Sequence, residues 1–165
     1  MSNSFLKYFF VTITSFWILC LDQASKIYVH TQMTKEEPKV LIEGFFNISY
    51  VTNSGGVFGL FNNGPEGLRI FLFLLIPLAC FVFIFLMLRD TKHPFHVIAL
   101  SFILGGALGN YFDRLRLGYV VDFLDLYIGT WHWPTFNFAD SFIVIGVSIL
   151  SFFYIQEYRI KKNSK

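Results

Sequence analysis

Four apolar runs organise this chain, at residues 8–21, 70–88, 95–112 and 141–156, separated by one short polar turn and two long polar stretches. Crossing about 30 Å of hydrocarbon takes roughly 20 helical residues. The first and last runs are too short by their uncharged length alone. To span, the first must continue through Asp22 and Lys26, and the fourth must reach back through Asp140 toward Thr135. The pattern therefore predicts an all-α membrane protein: one integral domain over 1–165, a bundle of four transmembrane helices at about 8–28, 69–88, 95–112 and 136–157. The long stretches become loops at about 29–68 and 113–135.

Residues 39–61 alternate apolar and polar positions (Val40, Ile42, Phe46, Ile48, Tyr50) and are broken by Gly44, Gly55, Gly56 and Gly59. Period-two alternation with glycine punctuation predicts a small antiparallel β-sheet, a cradle at the membrane surface. In the second loop, residues 123–127 read as a short amphipathic helix, with Trp131, His132 and Trp133 behind it. Tryptophans favour headgroup depth, so this piece is expected to be an interfacial helix or lid.

The basic residues orient the bundle. Lys7, Arg89, Lys92, Arg159, Lys161, Lys162 and Lys165 fall on one side, which the positive-inside rule makes cytoplasmic. Of the 11 acidic residues, all except Asp90 and Glu157 lie on or beside the two long loops. Both termini are thus expected on the cytoplasmic side, with the functional face outside. A cleaved leader is the rival reading of the first run, but no small-residue cleavage site follows, and Leu19 before Cys20 is too bulky for lipoprotein-type cleavage.

Composition agrees. Apolar residues make up 55% of the 165 and charged residues only 15%, against about 25% charged in soluble domains. The 22 phenylalanines suit a lipid-facing surface. A net charge of +2 with no basic stripe gives nucleic acid no footprint. Cys20 and Cys80 lie inside apolar runs, where no disulfide is expected.

The informative residues are polar ones in apolar surroundings. A charge at mid-bilayer costs about 2.5–3.5 kcal/mol on insertion scales, so these groups must be paired, protonated or near the interface. Asp22 and Lys26 share a helix face and are able to pair, as a snorkelling helix-end ion pair or as part of a site. Gly105, Gly106 and Gly109 permit close approach of a neighbouring helix. Asn110, Asp113 and Arg114 put an amide, a carboxylate and a guanidinium on one face, as a structural latch or as catalytic machinery. Asn137 reads equally as a helix N-cap or a site residue. Asp140, three positions on, is expected about one turn inside the apolar zone. Asp122, held between Val121 and Phe123 near the bilayer, is a candidate for a raised pKa.

Two carboxyls brought together in a poorly hydrated site keep one proton between them. The ionised member is then a base for water, and the protonated one polarises a carbonyl and returns the proton to a leaving nitrogen. Such a site needs no cofactor. His30, His93, His96 and His132 are divided between the two sides and give no tetrahedral metal set. A proton-coupled transporter would also place carboxylates in a membrane, but at the midplane between repeats, and this chain has no repeat. A non-catalytic assembly factor, its polar cluster only locking helices together, is the remaining alternative.

Five segments resemble, in order, those of the bacterial lipoprotein signal peptidase family, signal peptidase II. They are Leu-Asp-Gln-Ala-Ser-Lys at 21–26, Asn-Ser-Gly-Gly-Val-Phe-Gly at 53–59, Gly-Gly-Ala-Leu-Gly-Asn-Tyr-Phe-Asp-Arg at 105–114, Val-Val-Asp-Phe at 120–123 and Phe-Asn-Phe-Ala-Asp-Ser at 136–141. The resemblance implies an aspartyl endopeptidase that removes signal peptides from diacylglyceryl-modified prolipoproteins. Its partners would be that lipidated peptide and membrane lipid, and one self-contained site implies a monomer. By motif match the catalytic pair would be Asp122 and Asp140. Asp22, Lys26, Asn53, Gly55, Asn110, Asp113, Arg114, Asn137 and Ala139 would shape the site or bind substrate. Gly56 and Val57 depart from the two alanines common at those positions.

Overall fold

The computed structural model describes residues 4–35, 37–54 and 65–163. Four long helices and four strands follow in the order α1 (Ser4–Gln32), β1 (Lys39–Ile42), β2 (Phe46–Asn53), α2 (Glu66–Asp90), α3 (Pro94–Leu117), β3 (Val120–Ile128), β4 (Trp131–His132) and α4 (Phe138–Asn163). Among the described residues, α1, α3 and α4 are each long and apolar enough to cross a membrane.

The helices outrun the apolar runs that predicted them. On α1 the buried residues are Lys7, Val11, Ser15, Ile18, Asp22, Lys26 and Val29, a stripe at helical spacing that carries the packing face straight through two charged positions. The other faces show Phe5, Phe9, Phe16 and Trp17 outward, as a lipid-facing surface does. Lys7 does not reach for solvent. Its ammonium donates to the carbonyls of Leu88 (2.6 Å) and Thr91 (3.2 Å), where the carbonyls at the end of α2 lack helical partners and the dipole favours a cation.

Helix α3 is central and touches the other three. Its glycines make that possible. A methyl group at Gly105 would lie 2.8 Å from Ile18 Cβ on α1, and one at Gly106 would collide with the Ala139 carbonyl on α4. On α4, Gly146 gives the same close approach to the Ala99 carbonyl of α3. Small residues thus bring three backbones together, the expected device where apolar surroundings supply no hydrophobic drive between helices.

The sheet is antiparallel throughout, in the order β1-β2-β3-β4. The expected alternation produces β1 and β2, joined through Gly44 at φ +76°. The expected interfacial helix at 123–127 is instead the middle of β3, paired with β2 from Phe46↔Leu126 to Asn53↔Val120 with one register shift between Ile48 and Val51. Five residues are too few to separate a period of 3.6 from one of 2, and the deciding partner strand lies nearly eighty positions away. Trp131 and Trp133 remain exposed beside it.

Two contacts fasten the sheet to the bundle. The Phe136 carbonyl accepts from the N–H groups of Phe123 (2.9 Å) and Leu124 (2.7 Å), while Phe136 N–H donates to the Leu124 carbonyl (3.1 Å). Asp113 of α3 accepts from the Val121 N–H at 3.3 Å. The start of α4 is thereby held against the centre of β3.

Candidate active site

Asp22, Lys26, Asn53, Asn110, Asp113, Arg114, Asp122, Asn137 and Asp140 converge where α1, α3 and α4 meet β2 and β3. Gly55, with the Gly56-Val57 departure, lies outside the described residues.

Lys26 is the hub. Its Nζ lies 2.8 Å from Asp22 Oδ2, 3.0 Å from Asp113 Oδ2 and 2.8 Å from Asn110 Oδ1, which accounts for all three ammonium protons. Asp22, Lys26 and Asp113 have no exposed surface, so the pair from α1 is an internal structure and not a snorkelling one. Gln23, which sequence reading passed over, donates to Asp113 Oδ1 (2.9 Å) and the Gly109 carbonyl (3.2 Å). An amide beside Asp22, in the stretch that must extend the first apolar run across the membrane, was the signal available for it.

The second oxygen of Asp22 accepts from the backbone N–H of Ala139 at 2.9 Å, in the first turn of α4. Gly109 makes room for this, since a side chain there would strike Asp22. The remaining donors of that turn are capped reciprocally. Asn137 Oδ1 accepts from Asp140 N–H (2.9 Å) and Asp140 Oδ2 accepts from Asn137 N–H (3.2 Å), the geometry of a capping box. Asn137 is thus the N-cap and a site residue at once. Its Nδ2 reaches out of the cap to Asp122 Oδ1 at 2.6 Å and to Asn110 Oδ1 at 3.2 Å.

Asp122 and Asp140 are therefore both bonded to Asn137. Asp122, 3% exposed on β3, accepts a second bond at Oδ2 from Asn53 Nδ2 of the adjacent strand (3.1 Å). Asp140 accepts at Oδ1 from Asn110 Nδ2 (2.7 Å). None of the ion pairs among the described residues includes either aspartate. Burial, and then the neighbouring Asp140 charge, push the Asp122 carboxyl up to about 7, against the pull of the Asn53 and Asn137 hydrogen bonds and the Lys26 charge. Arg114 donates to the Asn110 carbonyl (3.2 Å), lies over the Phe73 ring at 5.1 Å, and acts by charge on Asp140, Asp122 and Asp113, while its Nε is buried with no partner among the described residues.

Comparison with known proteins reads this arrangement. The family described as Signal peptidase (SPase) II matches residues 14–156. The chain belongs to the signal peptidase II family. By that membership it is a membrane peptidase. The lipoprotein signal peptidase of Syntrophus aciditrophicus is 41% identical over 151 residues, covering 90% of this chain and 94% of the relative. That of Geobacter sulfurreducens is 41% identical, covering 87% and 89%. A solved structure described as a bacterial membrane enzyme, determined by the in meso method at 2.3 Å resolution, superposes with a TM-score of 0.80 at 27% identity, covering 94% of this chain and 91% of that one.

Proposed function

We propose that this signal peptidase II family member is an aspartyl endopeptidase that cleaves diacylglyceryl-modified prolipoproteins just before the lipidated cysteine. Asp122 and Asp140 are the catalytic pair. The observation that carries this is Asn137, which donates to Asp122 at 2.6 Å while exchanging two hydrogen bonds with Asp140. One side chain thus fixes two carboxyls that are distant along the sequence and, among the described residues, have no cation within ion-pair distance.

The chemistry follows from that pairing. With Asp122 pushed up to about 7, the pair holds one proton near neutral pH. The ionised carboxylate removes a proton from a water, and the resulting hydroxide attacks the scissile carbonyl carbon. The protonated carboxyl hydrogen-bonds the carbonyl oxygen as its charge grows, then protonates the leaving nitrogen as the C–N bond breaks. The buried Nε of Arg114, left without a partner, is a donor available to a substrate carbonyl.

In this reading α2 is the fourth spanning helix, both termini are cytoplasmic, and the pair lies just below the outer headgroups. Lipid tails of the substrate then stay in the bilayer while its peptide crosses the sheet. The protein acts as a monomer. The test is cleavage of purified diacylglyceryl-modified prolipoprotein in detergent, with Asp122→Asn and Asp140→Asn beside the parent. Loss of product in both is expected, and undiminished turnover by either removes that residue from the mechanism.

A further inference from the structure

A second polar cluster lies at the other end of the bundle. Asp140 and Glu157 are both on α4, seventeen positions apart, which puts about 25 Å of helix between them. Beside Glu157, α2 hands over to α3: His93 caps α3 and His96 lies in its first turn. One ligand atom from each of His93, His96 and Glu157 falls within 4.8 Å of the other two.

The hydrogen bonding of these groups is unfinished. His96 is only 4% exposed, yet among the described residues its Nε2 has no hydrogen-bond partner, and neither has His93 Nδ1. Nε2 of His96 stands 3.6 Å from Glu157 Oε1, too far for a hydrogen bond. Leaving buried imidazole nitrogens unsatisfied is costly. The other nitrogen of His96 is engaged: Nδ1 lies 3.3 Å from Thr91 Oγ1. If that contact takes the ring N–H, Nε2 presents a lone pair, the tautomer arrangement by which a neighbouring oxygen orients a metal-bound histidine. A cavity of about 510 Å³ opens on the three residues, lined also by Tyr154 and by the oppositely charged Asp90 and Lys92.

We propose that His93, His96 and Glu157 form a binding site for a divalent transition metal ion, with Zn(II) the best match. Two imidazoles and a carboxylate suit zinc, whereas calcium and magnesium take all-oxygen sets. Tetrahedral bonds of about 2.0–2.1 Å separate ligand atoms by roughly 3.3 Å. The His96–Glu157 spacing of 3.6 Å is already near that. The fourth position faces the cavity and is filled by water. A bound ion would tie the first turn of α3 to the last turns of α4, so it acts on the stability of the bundle and not on the aspartate pair.

The test uses full-length protein in detergent, its purification tag removed and its metals stripped by chelator, titrated with Zn(II) against a chromophoric chelator. One Zn(II) per chain is expected, with a rise in melting temperature. Because His96 is buried, replacing it would test folding as well as binding, so half-buried Glu157 and His93 carry the decision. Glu157→Gln and His93→Gln should each weaken Zn(II) binding at least tenfold while melting normally without metal, and His132→Gln, on β4, should not weaken it. Co(II) bound in place of Zn(II) should give the visible bands of a tetrahedral ion. Absence of stoichiometric binding, or equal affinity in parent and Glu157→Gln, overturns the proposal.

Discussion

The site contains two pairs of carboxylates, held by opposite means. Asp22 and Asp113 are joined by the Lys26 ammonium at 2.8 and 3.0 Å, so their charges are matched inside the protein. Asp122 and Asp140 receive amides instead, from Asn53, Asn137 and Asn110. An ammonium at hydrogen-bond distance offsets the charge of a buried carboxylate, whereas a neutral amide positions a carboxylate without matching its charge. The first pair therefore suits a rigid role, and the second is the one proposed for proton transfer. The two differ although they are neighbours, joined through Asn110, which accepts from Lys26 and donates to Asp140.

The strongest way to break this contrast is to neutralise each pair separately. Asp122→Asn and Asp140→Asn should each lower kcat about 10³-fold or more while shifting the melting temperature little, since the amide nearly keeps the shape. Lys26→Met should do the reverse. It strands two buried carboxylates, which costs about 3–5 kcal/mol, and thermal melting in detergent should show the loss. If the aspartate variants lost activity only in proportion to folded protein, the division of labour would fail.

A smaller effect is expected at Gly106. Its replacement by alanine drives a methyl against the Ala139 carbonyl and within 2.8 Å of Ile143 Cγ1. Overpacking of this kind costs about 1–3 kcal/mol. Because Ala139 N–H is bonded to Asp22 and Asp140 is next in sequence, Gly106→Ala should reduce stability and turnover together.

The finest test is pH. On the proposed mechanism the pair works with one proton, and the Asp122 carboxyl is pushed up to about 7, so kcat/KM should fall above that value. Linkage has the same sign. A carboxyl whose folded pKa lies above its unfolded one favours folding most fully below about pH 4, and that contribution is lost as pH rises through about 7. Asn53→Ala removes a bond that supports the ionised form, so the alkaline limb should move upward by less than about one pH unit. A limb that stays in place would show that Asn53 does not govern this proton.

Helix positions were legible in the chain because apolar length is a strong signal, and so was the pairing of Asp22 with Lys26, because helical spacing is local. The candidate site residues stood out as polar groups in apolar surroundings. Their partners were less legible. That Asp22 would accept from Ala139 N–H, or that Asn137 would be cap and bridge together, depends on helix crossings which Gly106 and Gly109 permit but do not specify. Strand β3 was misread as a helix because its evidence is its pairing with β2. The four histidines gave no tetrahedral set in the sequence, and the approach of Glu157 to His93 and His96, some sixty positions away, was not legible there for the same reason.

The reciprocal hydrogen bonds between Asn137 and Asp140 make one acid of the pair part of how a helix begins. Fraying of that opening turn, the cheapest local excursion a helix makes, would release Asp140 from its partner and loosen Asn137 from Asp122 in the same event. On gentle heating, then, inactivation should precede any measurable fall in helical circular dichroism, with the membrane-embedded remainder still intact.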